Sequence, residues 1–336
     1  MSRNRIIAVM TVGLVVITAG LTIWATYGTT PKCPGSPAKI RLGVGPGEHS
    51  TLIWIAENRG YFAENNLDVT ITVYEGGALA IKDFFAARLD IVTTGDFVFV
   101  VNSFQRPNIR IFGVIDEFNS NRVVARKDSG INLLSDLKGK RVGILKGSQA
   151  EFCLARLLVL NDISSQEISV VDLSPTQQIS AIENGTIDAA LVWEPYVQKI
   201  RETLGINAVS LPGQSDQNLF WLLICTDDMI RTQPMVLRSF LASLIKAGKF
   251  LNSDQTEAKV IAAKRFGSDI PYLESVWKNN KFDVSLPQGL ILTLEDQARW
   301  LQSSGTINMN EIPDFLDFVY FQGLETLKPE AVTMIH

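Results

Sequence analysis

The sequence predicts an α/β fold of two lobes, each a mostly parallel β-sheet flanked by helices, joined by two crossover strands that form a hinge. Three observations support this fold class. Strand-like and helix-like stretches alternate from residue 39 onward, as they do in parallel sheets whose two faces are covered. The pattern recurs at an offset of 98 residues. The chain has 336 residues, which is enough for about two domains.

The first half of the chain gives the clearest element pattern. Leu52, Ile55 and Ala56 have helical spacing, and Gly60 is a typical helix stop. In order, we expect a strand at 40–44, a helix at 50–62, a strand at 68–74, a helix at 77–89, a buried strand at 90–94 and a strand at 108–115.

The second half repeats this unit. Four residue pairs share the offset, and Asp96 and Glu194 lie near equivalent strand ends. We interpret the repeat as two copies of one βαβαβ unit; the alternative is that all α/β units have similar spacing. The four pairs are Ser50 and Ser148, Gly77 and Pro175, Ile81 and Ile179, and Asp90 and Asp188.

Two strand-like stretches are the expected crossovers between the lobes. Residues 119–131 would carry the chain out of the first lobe, and residues 218–230 would carry it back, with 220–225 buried. We therefore predict a first lobe of 39–124 plus 222–336 and a second lobe of 125–221. Four apolar-periodic stretches, expected to be helices that cover the first lobe, lie at 233–251, 256–267, 290–305 and 313–327.

The N-terminus predicts export. Arg3 and Arg5 precede an uncharged apolar run at residues 6–24, which as a helix would reach roughly 28 Å, close to a bilayer's hydrocarbon thickness. The basic residues favour a cytoplasmic start and an external fold. We expect residues 1–28 to be a transmembrane anchor; a cleaved signal segment and a lipid anchor at Cys33 remain alternatives. Residues 29–38, with three prolines, are expected to be a linker.

Composition excludes several classes of function. The formal charge is −4 without a basic run, so we expect no nucleic-acid partner. The chain has three scattered cysteines and two histidines, which argues against a metal site, a disulfide framework or histidine-based catalysis. We expect no cofactor and no catalytic residue.

Two loops before helices are expected to bind a ligand, because the carboxyl ends of the strands should face one cleft. Ser50 or Thr51 would cap the helix after the first strand, and Ser148 would cap the helix that follows Lys146. Two helix N-termini facing one gap favour an anion or a strongly polar group.

The other strand ends carry aromatic and acidic residues. Trp193 would form a wall for the apolar part of the ligand or pack between lobes. Asp96 and Glu194 would accept N–H groups from the ligand or cap the next helix, and Pro195 suits a helix start. His49 would hydrogen-bond to the ligand or lie solvated in its loop.

The combination of LKGKRVG, GS, IDA and VWEPY in this order resembles the nitrate/sulfonate/taurine-type solute-binding proteins of ABC importers, which have relatives for thiamine-precursor pyrimidines. The likeness runs from about Lys39 to Leu327. It implies a two-lobed periplasmic-binding-protein type II fold that captures a solute between its lobes and delivers it to a membrane permease. The pocket positions it implies are Ser50 and Thr51; Thr94, Gly95 and Asp96; Ser148 and Gln149; Trp193 and Glu194; and Asn119.

The resemblance therefore predicts an extracytoplasmic binding protein, not an enzyme, for a small polar or anionic solute of the sulfonate, nitrate, taurine or pyrimidine class. Its partners would be an ABC permease and ATPase, and we expect a monomer in the periplasm or at the outer face of the cytoplasmic membrane. The pocket loops have few basic residues, with Lys146 and Arg122 nearest, which weakens the case for sulfonate or nitrate. The alternatives are a membrane-tethered ligand sensor and a pyrimidine-synthesis-type enzyme on the same fold.

Overall fold

A computed structural model describes residues 35–215, 217–307 and 311–336. Their strands form two sheets of similar design. The strands are β1 (Ala38–Val44), β2 (Leu67–Val73), β3 (Ile91–Gly95), β4 (Ile109–Phe118), β5 (Arg122–Arg126), β6 (Arg141–Ile144), β7 (Ser169–Asp172), β8 (Ala189–Val192), β9 (Ala208–Pro212), β10 (Leu219–Thr226) and β11 (Asn280–Lys281).

Helices alternate with these strands up to β10 and dominate the chain after it. They are α1 (Thr51–Asn58), α2 (Tyr61–Glu64), α3 (Gly77–Phe85), α4 (Asp96–Ser103), α5 (Gln149–Leu160), α6 (Pro175–Glu183), α7 (Tyr196–Leu204), α8 (Asp227–Thr232), α9 (Pro234–Ser253), α10 (Gln255–Phe266), α11 (Ile270–Trp277), α12 (Gln288–Ser303) and α13 (Gln322–Glu325).

The first sheet has the strand order β11-β4-β10-β3-β1-β2. β1 is parallel to both β2 and β3, whereas β10 is antiparallel to β3 and β4. β10, the crossover strand that arrives from the other lobe, is thus antiparallel to both of its neighbours in the sheet. Residues 220–225 of β10 are all buried, which confirms the burial expected from their uninterrupted apolar sequence.

The second sheet repeats this arrangement. Its order is β7-β6-β8-β5-β9, with β6 parallel to β7 and β8 and with β5 antiparallel to β8 and β9. β5 follows β4 of the first sheet, just as β10 follows β9 of the second. The two-lobed α/β fold with two crossover strands is therefore confirmed. Because β5 belongs wholly to the second sheet and β10 to the first, we propose that the lobes divide before β5 and before β10, slightly earlier than residues 124 and 221.

An arginine–aspartate pair occupies the same place in both sheets. Asp90 accepts hydrogen bonds from the backbone N–H of Arg41 (2.8 Å) and from its guanidinium (2.6 and 3.1 Å). Asp188 accepts the same three bonds from Arg141 at 2.8, 2.7 and 3.1 Å. Equivalent contacts at equivalent strand starts support the interpretation of the sequence repeat as a structural duplication.

The C-terminal region packs on the first lobe and also reaches the second. Phe240 of α9 stacks on Phe62 at a centroid distance of 5.3 Å, while Asp296 of α12 pairs with Arg156 of α5 at 3.1 Å. The prediction of a helix at 313–327 is wrong. This stretch forms a 3-10 turn at Phe315–Phe318, an isolated bridge from Val319 to Ile111, and the short helix α13.

Residues Ala38–His336 form one compact unit. Within the residues that the structure describes, no helix is both long and apolar enough to cross a membrane. The predicted anchor at 6–24, residues 29–34 of the predicted linker and Cys33 lie outside these residues.

Candidate functional site

A small cavity of about 10 Å³ lies between the lobes where the strand ends converge. Five of the predicted site residues contribute to it, three of them from the second lobe. The complete lining is His49, Gly77, Ala78, Gly95, Val98, Asn121, Ser148, Gln149, Trp193 and Trp221. A cavity with walls from both lobes is where a bound solute would stabilise the closed arrangement.

Two helices begin at the wall of this cavity, one in each lobe. In the second lobe Ser148 caps α5, since its hydroxyl accepts the N–H of Ala150 at 3.3 Å. The N–H groups of Gln149, Gly77 and Ala78, at the starts of α5 and α3, form no hydrogen bond within the described residues. Two sets of free amide donors and two positive dipole ends therefore meet at the cavity.

We expected α1 to supply the backbone amides of the first lobe, but α3 supplies them. Ser50 and Thr51 do not cap α1; that capping prediction is wrong. Their hydroxyls instead donate to the carbonyls of Gly45 (3.0 Å) and Glu48 (2.6 Å). Both side chains are fully buried within the loop, so they shape the segment that carries His49 and do not line the cavity.

His49 forms part of the cavity wall and is held by Asp116. Its Nδ1 lies 2.8 Å from Asp116 Oδ2, and its ring stacks on Trp221 at 5.0 Å and packs on Phe118 at 4.0 Å. Burial raises the pKa of Asp116 to about 6. Burial also lowers the pKa of His49, but the neighbouring carboxylates, Glu48 foremost, outweigh it and raise that pKa overall. The imidazole is thus fixed in orientation and biased toward its charged form.

Asp96 is a structural junction and does not present free oxygens to a ligand. Its Oδ1 accepts the N–H of Phe97 (2.7 Å) and the side-chain amides of Gln149 (2.9 Å) and Gln297 (2.8 Å). Its Oδ2 accepts the N–H of Phe220 at 2.7 Å. Burial raises the pKa of Asp96, and these four donors act against that shift. The donors come from α4, the second lobe, α12 and the returning crossover strand, so Asp96 ties these parts together.

Trp193 packs between the lobes and also lies at the cavity, whereas its contact with a ligand stays a prediction. Its ring lines the cavity, and its Nε1 donates to the carbonyl oxygen of Glu75 in the first lobe at 3.2 Å. A Cβ on Gly76 would lie 2.6 Å from the ring, so the indole sits directly on that backbone. Trp193 is therefore both an aromatic wall and a contact between the lobes.

Glu194 and Thr94 lie beside the cavity without lining it. Glu194 Oε2 accepts the N–H of Gln198 in the first turn of α7 at 3.2 Å, which is the capping role, and the peptide bond to Pro195 is cis. Thr94 lies beneath Gly77, with a buried hydroxyl that has no partner among the described residues. Gly95 does line the cavity and touches the Gln149 side chain.

Asn119 lies elsewhere. It borders an outward-facing groove of about 360 Å³ beside the crossovers, together with Arg122 and Lys281. Asn121, two residues further along the crossover, reaches the cavity instead, and its backbone N–H is held by Gln214 Oε1 at 2.8 Å.

Sequence reasoning missed Trp221, which is the second aromatic wall. In the sheet it lies between Gly95 of β3 and Asp116 of β4. Its Nε1–H is buried and has no acceptor among the described residues. Its neighbours in β10 are uniformly apolar, so nothing in the sequence distinguished it from core. The Gly76-Gly77 pair at the start of α3 was a usable signal, because glycines at the start of a helix allow close approach to its N-terminus.

The chemistry of the site follows from this inventory. Among the residues that the structure describes, no lysine or arginine lines the cavity, and no group of three or more His, Cys, Asp or Glu side chains could hold a metal ion. The available donors are backbone amides, the Trp221 indole and the His49 imidazole. Such a set suits a small solute with hydrogen-bond-accepting oxygens and an apolar part that packs against tryptophan.

Comparisons with known proteins identify the family. Residues 48–258 match the family model described as NMT1/THI5 like. The taurine-binding periplasmic protein of Escherichia coli K12 is 26% identical over 196 residues, which cover 57% of this chain and 61% of that protein.

Solved structures share the fold. The alkanesulfonate-binding protein SsuA of Xanthomonas axonopodis pv. citri, solved with MOPS bound, matches with a TM-score of 0.75 and 19% identity over 85% of this chain and 99% of that one. The desulfurization enzyme DSZB matches with a TM-score of 0.67 and 14% identity over 87% and 99% of the two chains. At these identities the structures establish a periplasmic-binding-protein fold and no more, and this fold also supports an enzyme.

Proposed function

The chain belongs to the NMT1/THI5-like family, and from that premise we propose that it is an extracytoplasmic solute-binding protein. Its solute is a small molecule with an oxyanion or similarly polar end, of the sulfonate class. It would be captured between the lobes and delivered to an ABC-type permease. The taurine-binding relative supports this class of solute.

The observation that carries the proposal is the pairing of two helix starts across one cavity. Free amides at Gly77 and Ala78 face those at Gln149 from the other lobe. An oxyanion between them would gain hydrogen bonds and favourable helix dipoles from both lobes at once, without a lysine or arginine. The scarcity of basic residues in the pocket loops is therefore compatible with a sulfonate.

Binding energy of ordinary size is enough to close such a protein. A micromolar Kd corresponds to about 8 kcal/mol. Moving a two-state equilibrium from 1:99 to 99:1 closed takes about 5.5 kcal/mol of preferential binding. A micromolar solute that contacts both lobes would therefore drive closure, which is the signal that a permease would recognise.

We do not propose a catalytic step. Cys153 of α5, the helix that begins at the cavity, is buried, and burial raises its pKa to about 12. The thiol is then protonated and a poor nucleophile at neutral pH. Among the described residues, Asn121 Nδ2 contacts its sulfur at 3.8 Å.

The test is isothermal titration calorimetry of the full chain with taurine, ethanesulfonate, MOPS, nitrate and an aminopyrimidine. Tris should replace sulfonate buffers, which would compete for the site. We expect one sulfonate per chain at micromolar Kd and a matching rise in melting temperature. If none of these solutes binds or raises the melting temperature, the proposed function is wrong.

A further inference from the structure

The contacts that hold His49 also decide which of its ring nitrogens carries a proton. Nδ1 lies 2.8 Å from Asp116 Oδ2, and Oδ1 of the same carboxylate accepts the backbone N–H of Lys281 at 3.1 Å. The amine of Lys281 pairs instead with Glu117 at 3.4 Å. Asp116 is fully buried and His49 is 3% exposed. Because an ionised carboxylate only accepts hydrogen bonds, Nδ1 is the nitrogen that keeps its proton.

The second ring nitrogen, Nε2, is the polar atom that His49 can offer to a solute. His49 lines the cavity, and Nε2 has no hydrogen-bond partner among the described residues. With a proton held on Nδ1, the neutral imidazole has a lone pair on Nε2 and accepts a hydrogen bond there. Only the charged imidazolium donates from Nε2. The oxygens of a sulfonate are acceptors, so they require the charged form.

We propose that Asp116 is a positioning residue that couples anion capture to a proton: His49 donates Nε2–H to the solute's oxyanion as the imidazolium. Where the ring is neutral in the free protein, a buffer acid gives its proton to the Nε2 lone pair as the solute binds. The proton returns to solvent when the solute leaves. The inference rests on the proposed function and adds the group that would balance the charge of the solute.

Carboxylates on three sides of His49 favour its charged form. Glu48 belongs to the same loop, Asp116 to β4, and Glu194 follows β8 of the second lobe. Burial lowers the pKa of His49, but these groups, Glu48 foremost, outweigh burial and raise that pKa overall. His49 and Asp116 both lie in the first lobe, so their contact does not depend on closure.

The sign of the pH effect follows from the proton balance. A bound anion raises the pKa of His49 in the complex above its value in the free protein. Binding is then strongest below the free-protein pKa, and it weakens as the pH rises toward the pKa of the complex. The Kd rises by up to about tenfold for each pH unit in that interval.

Nitrogen NMR of histidine tests the position of the proton without a solute. The chain has two histidines, so ¹⁵N-histidine labelling of the full chain gives two ring spectra, which His336→Gln assigns. Burial raises the pKa of Asp116 to about 6, so the carboxylate is ionised in the range from pH 7 to 10. We expect Nδ1 of His49 to stay protonated throughout this range while Nε2 titrates. A neutral His49 with its proton on Nε2 would overturn the proposal.

Asp116→Asn should move the proton to the other nitrogen. The amide oxygen that remains is the only acceptor for the Lys281 N–H, which leaves the NH₂ group to donate to His49 Nδ1. The neutral ring then carries its proton on Nε2, and the NMR spectrum should show this tautomer. A merely structural role for Asp116 would not produce this change.

Calorimetry with ethanesulfonate, which stays ionised in this range, measures the coupling in the complex. We expect the Kd to rise at least about tenfold from pH 7 to 10 in the unmodified chain. The slope should disappear in Asp116→Asn, whose neutral ring donates at every pH. His336→Gln is the matched control and should keep the slope. His336 also pairs with a carboxylate, Glu325, at 3.2 Å, and stacks on Phe321 at 3.7 Å.

His49→Gln provides a second variant that does not depend on Asp116. Its amide can donate to the solute but does not titrate, so binding should be weaker at pH 7 and independent of pH. A Kd that is constant with pH in the unmodified chain, or an undiminished slope in His49→Gln, would overturn the proposal and leave the proposed function intact. If no solute binds at any pH, the proposed function fails, and NMR still decides whether Asp116 holds the proton on Nδ1.

Discussion

At the scale of single residues, Trp221 is the clearest case of a side chain with unused binding capacity. Its indole N–H is buried at the cavity and has no acceptor in the part of the chain that the structure describes. A buried donor without a partner is costly in the free protein and becomes favourable when a ligand oxygen accepts from it. This residue should therefore contribute to solute affinity more than to stability.

We expect Trp221→Phe to weaken solute binding by about tenfold to a hundredfold, because a hydrogen bond to a charged acceptor is worth about 1.5–3 kcal/mol. Calorimetry with the best-binding sulfonate measures this loss. Trp54→Phe is the control, since Trp54 also has a buried, unpartnered Nε1 but borders a different pocket, beside Arg265. Equal losses in the two variants would argue against a role for Trp221 in the site.

Asp96 makes the opposite contribution, to stability. Replacing it with Asn keeps the shape but places an NH₂ group among four N–H donors and removes a charge that they stabilise. We expect Asp96→Asn to lower the free energy of unfolding by about 2–4 kcal/mol, measured by urea denaturation. Asp68→Asn, on the exposed face of β2, should change it by less than about 0.5 kcal/mol. If Asp96→Asn leaves the free energy of unfolding unchanged, the hydrogen bonds to Asp96 contribute little to stability.

At the scale of elements, the duplicated arginine–aspartate pairs make a quantitative prediction. Asp90→Asn and Asp188→Asn each remove the same set of contacts, and each should cost about 1–2 kcal/mol at pH 7. The two changes lie in different lobes, so the double variant should show the sum of both losses to within about 0.5 kcal/mol. Denaturation of the four proteins in urea tests this additivity, with Asp68→Asn again as the control.

The pH dependence of these pairs has a defined sign. Arg141 holds the pKa of Asp188 below its usual value, as Arg41 does for Asp90, where burial opposes the shift. A lowered pKa stabilises the fold above about pH 4, and this stability is lost as the pH falls through the folded-state pKa. The difference between the unmodified chain and Asp188→Asn should therefore shrink toward pH 3. A difference that stays constant would contradict the charged pairing.

The helices and strands also show which features of the fold and the site could be predicted from the sequence. Ser148 was identifiable because a cap depends on local chemistry, and α3 and α5 begin where glycine and serine signals place them. The stretch 313–327 could not be resolved, because its apolar residues Phe315, Phe318 and Leu324 are buried through contacts to distant strands and helices and not along one helical stripe. The position of Trp221 at the cavity could not be predicted for a related reason. It depends on the register of β10 between β3 and β4.

At the scale of the whole molecule, direct contacts hold the lobes together around the cavity. Trp193 bonds to Glu75, Asp96 bonds to Gln149, and Gly47 touches the backbone of Glu194. The first two contacts are side chains that can rotate away, whereas the third is backbone against backbone. Closure should therefore be most sensitive to added volume at Gly47.

We expect Gly47→Ala to raise the Kd for the solute more than tenfold while leaving the unfolding midpoint of the free protein nearly unchanged. The added Cβ would lie 2.8 Å from the Glu194 carbonyl oxygen, and backbone cannot yield as a side-chain tip can, so the lobes must stay apart. Gly47 has φ near −87°, which alanine adopts without strain. Each lobe should therefore fold normally while the closed form is excluded. Gly248→Ala, with nothing within 4 Å of its new Cβ, should bind normally and be slightly more stable. Unchanged affinity in Gly47→Ala would mean that solute binding does not require the lobes to meet along this seam.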